Sequence, residues 1–467
     1  MSVISPPRPP EPTEGADLEA LIKEARARQR RRRIRIALVL GAAAALGGGL
    51  YAMVADGGSA TKSTSDSGRP SAVSHRCPPG DLGTVAFTRG GALNLLDLQS
   101  CKTRVLVRAH AVGPVQFSFD GRYVGFFGGF ASTGSGRITH IAGRGTWSPT
   151  ADVLVDGTKK GGLVLIAPGR SPRRLLPDGW GVLTYAFAPS GQTLAVSRSH
   201  YAGPSTPRSK RDQQIWLINL ATGTRKMIFE LPSWQLAPQW VQGFSPDGKW
   251  VLFWEDVQNS SSMAADDLPL LAVPASGGKA IPISRLLHYS DVATWCNGSL
   301  VYVIDHNGRG VTLGDGLAVT KPPLWRSQTI LPSGGKTSWT SVACPSAAAA
   351  AKGGGGLVVA AGPSNADIPF GREHRSLWMV GPQAGARPQR LSQTVPPKGQ
   401  TDELPMWAGD GRWILFVRTN PSGNSNRGQL YALDPFGGNL VGPIASIGSS
   451  ANYYGSYSWP YQLDWHR

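Results

Sequence analysis

From residue 77 onward the apolar positions fall in short runs, and each run is preceded by an aromatic residue and a Gly-containing turn. Phe244-Ser-Pro-Asp-Gly248 and Lys249 lead into an apolar run over 250–254. The same grammar recurs at Phe117-Ser-Phe-Asp-Gly121 before 123–127, at Phe187-Ala-Pro-Ser-Gly191 before 194–196, and at Trp407-Ala-Gly-Asp-Gly411 before 413–417. Weaker copies begin at Trp147, Trp295, Cys344 and Cys77. Runs this short, bounded by turn formers, predict β-strands.

A second half-repeat follows most copies. Residues 215–229 read as an alternating strand, a Gly-containing turn and another strand, and related segments occupy 93–107, 163–176, 270–283, 377–391 and 430–444. Each unit is therefore expected to hold four antiparallel strands. Eight units over 77–467 would average about 49 residues, close to the ~40–50 of a propeller blade. One blade buries neither face by itself, so blades must stack around an axis and the ring must close. The pattern predicts an all-β propeller of four-stranded blades. The unit at Phe117 leaves little room for a fourth strand, so seven and eight blades both remain open. The segment from Tyr453 to Trp465 is the candidate for pairing with the first blade.

The N-terminal pattern differs. Residues 1–35 carry Pro and Glu first, then a helical spacing of Leu18, Leu21, Ile22 and Ala25, then an arginine run at 30–33 and 35. Residues 36–55 contain no charge and are long enough to span a bilayer as a single transmembrane helix. The flanking arginines place the N-terminus in the cytoplasm and everything beyond residue 55 outside it. A cleaved signal peptide is the alternative, disfavoured by the long apolar stretch and by Met53 at the third position before the best cleavage point. Residues 56–76, rich in Gly, Ser and Thr, read as a flexible tether, and 77–467 as the propeller domain.

Composition fits this division. Gly (59) and Pro (37) are what many short strands and a tether require. Lys and Arg outnumber Asp and Glu 47 to 30, a net charge of +17, and residues 1–35 hold only nine basic and five acidic groups, leaving +13 beyond them. An anionic envelope polymer or lipid surface is the matching long-range attraction. Cytoplasmic nucleic-acid binding contradicts the topology.

Four cysteines, Cys77, Cys101, Cys296 and Cys344, permit two disulfides in three connectivities outside the membrane. Cys77 and Cys101 fall at turns on one face of one blade and are expected to pair. Cys296 and Cys344 sit at equivalent turns of neighbouring units, where buried thiols are the alternative to a second bond. No CxxC, CxxH, HExxH, GxSxG, P-loop or EF-hand pattern occurs, and the eight His are dispersed, so neither a cofactor, a metal nor a catalytic residue is expected. Asp247 reads as a turn residue rather than part of a sialidase-type box. Asp305-His306-Asn307 with Asp315-Gly316 reads as turn sequence rather than a cation site. Residues 199–213 and 257–267 are longer than hairpins need and are the better recognition candidates.

At the Phe-Ser-Pro-Asp-Gly-Lys-Trp motif of 244–250, and at 215–223, the chain resembles the WD40-like (PD40) repeats of TolB-type propellers. The resemblance covers about 390 residues as architecture, is close in one blade and fair in three more. It implies a propeller that docks partners in the cell envelope. The membrane anchor, and the lack of TolB's own N-terminal domain, fit a membrane-tethered, actinobacterial-type homologue. Three functions compete: a non-catalytic scaffold for an envelope protein or anionic cell-wall polymer, a glycan-binding or glycan-cleaving propeller with its site in the central channel, and a transmembrane sensor. Two or more inward carboxylates around a deep pocket would favour the second, and an apolar or Gly-lined channel the first.

Overall fold

The computed structural model describes residues 77–467 apart from 109–112, 200–212, 232–238, 257–267, 287–290, 305–315, 333–336, 346–355, 364–374, 421–426 and a few single positions. The membrane-span stretch 36–55, with the tail and tether beside it, lies outside the described residues. Among those described, no helix is long and apolar enough to cross a membrane.

The described strands form eight four-stranded antiparallel sheets, plus a two-stranded ladder at 452–457. The sheets are the blades of a propeller. Blades 2 to 8 occupy 116–140, 146–176, 182–230, 239–286, 293–331, 337–390 and 401–449, each running outward from its innermost strand. Blade 1 is assembled from both ends of the chain. Thr84–Arg89, Ala92–Asp97 and Lys102–Val107 supply its outer three strands, and Leu463–His466 supplies the innermost. The closing register pairs Thr84 with His466 and Phe87 with Leu463. Of the segment Tyr453 to Trp465 expected to close the ring, Leu463, Asp464 and Trp465 do so among the described residues, and His466 extends the strand.

Apolar side chains meet between blades. Separate buried clusters join blades 1 and 2, 2 and 3, 3 and 4, 4 and 5, 7 and 8, and 8 and 1, and one larger cluster runs through blades 5, 6 and 7. The aromatic ahead of each turn lies in this layer, as with Trp147, Phe244 and Trp407.

Blade 2 corrects one expectation. It does hold a fourth strand, Ile138–His140, because its strands are only two to four residues long and its second hairpin turns on Phe127 and Gly128 alone. Its boundary with blade 3 is correspondingly small and relies on aromatic bulk. Trp147 stacks on Tyr123 at 5.9 Å and meets Phe130 edge-on at 5.4 Å.

The repeated Ser-x-Asp-Gly turn has a specific wiring. In blade 5, Ser245 Oγ donates to Asp247 Oδ1 (2.5 Å) and accepts from the Trp250 N–H (3.0 Å), while Asp247 accepts from the Lys249 N–H (3.1 Å). Ser118, Asp120 and Tyr123 repeat it in blade 2. The glycine closes the turn in the left-handed region, at φ 70° for Gly248 and 69° for Gly191. Asp247 is thus a turn residue, as its sequence suggests, and the bond from Ser245 holds its carboxyl below the usual carboxylate range.

Gly191 and Gly223 (φ 73°) separate backbone strain from packing. A Cβ on Gly223 meets nothing within 4 Å, whereas one on Gly191 runs into Thr150 Oγ1 and Ser148 Oγ of the neighbouring blade. Gly223→Ala is expected to cost about 1 kcal/mol from left-handed strain, and Gly191→Ala measurably more. Equal shifts in urea-unfolding midpoint would show that this blade contact does not hold the turn.

Candidate binding channel and the two faces of the ring

Because strand direction alternates, the first-to-second and third-to-fourth turns of every blade share one face, here the turn face. The second-to-third connections and the links between blades share the other, the loop face. The innermost strands line the axis between them.

A cavity of about 650 Å³ occupies the axis, lined mainly by blades 1, 2, 3, 6, 7 and 8. Its wall is mixed. Gln116, Thr146 and Thr294 line it together with Val342, Met406 and Trp407, so it is neither the apolar nor the Gly-lined channel that one sequence-based criterion specified. Arg144 lies 5.3 Å from the centroid of the Tyr461 ring. The Tyr461 carbonyl accepts the Val115 N–H (3.1 Å), beside Gly113, where any Cβ would strike that carbonyl. The short helix Trp459–Gln462 is thereby seated against the start of blade 2.

Two carboxylates face this cavity, Asp291 and Asp464. Asp464 accepts the Phe117 N–H at 2.7 Å and the Trp465 N–H at 2.9 Å, one on each oxygen. Burial raises its pKa against the pull of those amides. Its role is to clamp blade 1 to blade 2. Asp291 accepts from Ser341 Oγ (2.7 Å), and its carbonyl takes the Val342 N–H (2.9 Å), which joins blades 6 and 7.

The cysteines are paired as Cys77–Cys101 and Cys296–Cys344, each with Cα atoms 5.5 Å apart, and none is free. The first bond lies within blade 1, while the second links the inner turns of blades 6 and 7. Both sit on the turn face. Of the histidines, His466 lies against the Phe117 ring (5.3 Å), and His140 is exposed on the outer strand of blade 2. The other six lie outside the described residues, as do 305–315. Most of the recognition segment 199–213 and all of 257–267 lie outside as well, but their ends place them as the second-to-third connections of blades 4 and 5. Among the described residues, no group of three or more His, Cys, Asp or Glu side chains is placed to hold a metal.

A buried ionic network at the loop-face end of blades 7 and 8 was not anticipated. Arg418 bonds both oxygens of Asp402 (2.6 and 2.9 Å), and Arg375 Nη1 reaches both oxygens of Glu403 (2.7 and 2.9 Å). The Arg418 guanidinium also lies 4.8 Å from the Tyr431 ring centroid. The signal was present as adjacent acids in Thr401–Trp407, an otherwise apolar inner strand, but their partners are distant in sequence. Burial pushes Asp402 up to about 6, although Arg418 pulls the other way.

No protein-family profile matches the chain, and no curated protein matches it in sequence. Solved structures do resemble it in shape. Dipeptidyl peptidase 4 from Porphyromonas gingivalis matches 80% of this chain and 59% of its own at 12% identity and TM-score 0.52. TolB from Acinetobacter baumannii matches over 79% and 66% of the two chains, at 12% identity and TM-score 0.34. Oligogalacturonate lyase from Vibrio parahaemolyticus matches over 72% and 94%, at 13% and 0.41. The chain thus spans about six-tenths of the peptidase. At these identities the likeness is one of propeller fold, shared by proteins of different activity.

Removing Arg418 would leave Asp402 uncompensated. Arg418→Met is expected to cost about 3–5 kcal/mol, with partial recovery in Asp402→Asn/Arg418→Met. Since folding raises the Asp402 pKa from 3.8 to about 6, its stabilising contribution is complete below the unfolded value and is lost as pH rises through the folded one. Asp402→Asn should therefore remove a fall in thermal midpoint between those values, and an unaltered profile would reject this assignment. The disulfides close 24 and 48 residues. Cys77→Ser/Cys101→Ser should lower unfolding free energy by about 3 kcal/mol and Cys296→Ser/Cys344→Ser by about 4. The reverse order in denaturant titrations would refute loop length as the controlling variable.

Proposed function

We propose that this protein is a membrane-tethered propeller, with its N-terminus cytoplasmic and its ring outside the membrane, acting as a non-catalytic scaffold. It holds an envelope protein or anionic cell-wall polymer on the loop face. The observation that carries this reading is where the fold spends chain. In blades 1 and 2 the second-to-third connections are the two-residue turns Gly90-Gly91 and Phe127-Gly128. In blades 4 to 8 they take 200–212, 256–267, 305–315, 364–375 and 420–426. Closing a longer loop costs entropy without improving the ring, and recognition residues concentrate in such segments. The inner-strand packing that holds each blade is satisfied without them.

A channel ligand is the second reading, supported by a cavity of about 650 Å³, within the size range of small-molecule sites. Glycan cleavage would need two carboxylates released to act as acid and base or nucleophile. Asp464 is committed through both oxygens to backbone amides, so the channel is better suited to binding than to cleavage.

The test is in-cell crosslinking and mass spectrometry on the full chain. The comparisons are residues 1–76 alone and a variant whose 257–266 segment is replaced by a two-residue Gly turn. The scaffold reading expects an envelope component enriched by the full chain, and at least about tenfold less of it, about 1.4 kcal/mol, with the loop variant at unchanged thermal midpoint. Equal recovery with the 1–76 control would sink it.

A further inference from the structure

We infer that the turn face is a docking surface for an anionic lipid bilayer. This rests on reading 36–55 as the membrane anchor, and it assigns the face opposite to the one proposed for the envelope partner.

The first observation is where the chain enters. Cys77 is the first described residue, and its disulfide to the third-to-fourth turn of blade 1 pins that entry point to the turn face. Residues 56–76, between the proposed anchor and Cys77, are Gly- and Ser-rich.

The second is charge. The third-to-fourth turns and adjoining strand starts of blades 1 to 6 present Lys102, Arg137, Arg170, Arg225, Lys279 and Lys321, all exposed. Blade 7 adds Arg387. The aspartates of this face are held in its turns and keep their charge, and with Arg122, Arg173, Lys226, Lys249, Arg326 and Arg412 the basic groups of its turns and strand starts outnumber them. Asp81, Asp97, Asp120, Asp247, Asp410 and Asp434 each accept the amide of the residue two positions on. Asp152 takes the Asp120 amide and Arg122.

The third is apolar exposure. Leu324 (69%), Phe436 (57%) and Phe119 (56%) are the most exposed large apolar side chains described, and all three sit in turns on this face. Cationic groups interspersed with exposed Phe and Leu suit the headgroup boundary, where charge meets anionic lipid and the apolar side chains enter the acyl edge.

The experiment uses the full chain with a protease site inserted in 56–76. The chain is reconstituted into vesicles of phosphatidylcholine alone or of phosphatidylcholine with phosphatidylglycerol. Flotation in high salt before cleavage reports the anchor by itself. After cleavage in low salt, the released ring should stay on the phosphatidylglycerol vesicles, leave the neutral ones, and dissociate when salt is added. Lys102→Glu/Arg225→Glu/Lys279→Glu should weaken retention by at least about fivefold, the factor for one cation at such a surface. Arg89→Glu/Lys159→Glu/Lys160→Glu, on the loop face, should not, with thermal midpoints showing that both variants fold. Equal release from both vesicle types, or equal loss in both variants, overturns the docking surface. Failure to float in high salt overturns the anchor and leaves the face to be judged by its lipid and salt dependence.

Discussion

Everything in this structure depends on ring closure by four residues. A blade has two faces and can bury them only against its neighbours, so with the ring open blades 1 and 8 would each expose a face of the core. Leu463–His466 removes that edge by pairing with Thr84–Phe87, and the flanking residues secure it. Trp465 donates its indole N–H to the Leu82 carbonyl (2.6 Å), Asp464 takes the Phe117 amide, and Trp459 is buried in the cluster joining blades 8 and 1. The last residues of the chain therefore complete the hydrophobic layer begun by the first strands of the domain.

Closure leaves two unlike faces. The turn face is crosslinked by both disulfides and wired by aspartates accepting their own turn amides. The loop face receives the longer connections of blades 4 to 8 and the buried pairs Asp402–Arg418 and Arg375–Glu403. Buried pairs of this kind add little net stability, but removing one member is costly, and Arg375–Glu403 ties blade 7 to blade 8. One face thus has short, regular turns and the other connections of very different length.

Much of this was legible in the chain. The aromatic, turn and apolar-run grammar located the blades because many of the hairpins turn on a left-handed glycine and several blade boundaries hold an aromatic. Alternation of strand direction placed Cys77 and Cys101 on one face and made their pairing readable. The Cys296–Cys344 bond stayed open because it spans two blades, and no local pattern measures how far apart equivalent turns stand. Blade 2 left the blade count open because strands of two to four residues carry almost no periodic signal, and there Trp147, packed over Gly125, substitutes for length.

The sequence by itself determined the blade grammar, the four-stranded unit, the basic excess and the candidate anchor, since all of these are written in neighbouring residues. Tertiary structure decided the number of blades and which C-terminal residues close the ring. It also decided the partners of Asp402 and Glu403, the commitment of Asp464, and the gathering of Lys102, Arg225, Lys279 and Lys321 on one face with Phe119, Leu324 and Phe436. The reason is geometric. A propeller brings equivalent positions of successive blades onto one rim or one axis, so its surface and channel are built from residues roughly one repeat apart, and only the closed ring makes them neighbours.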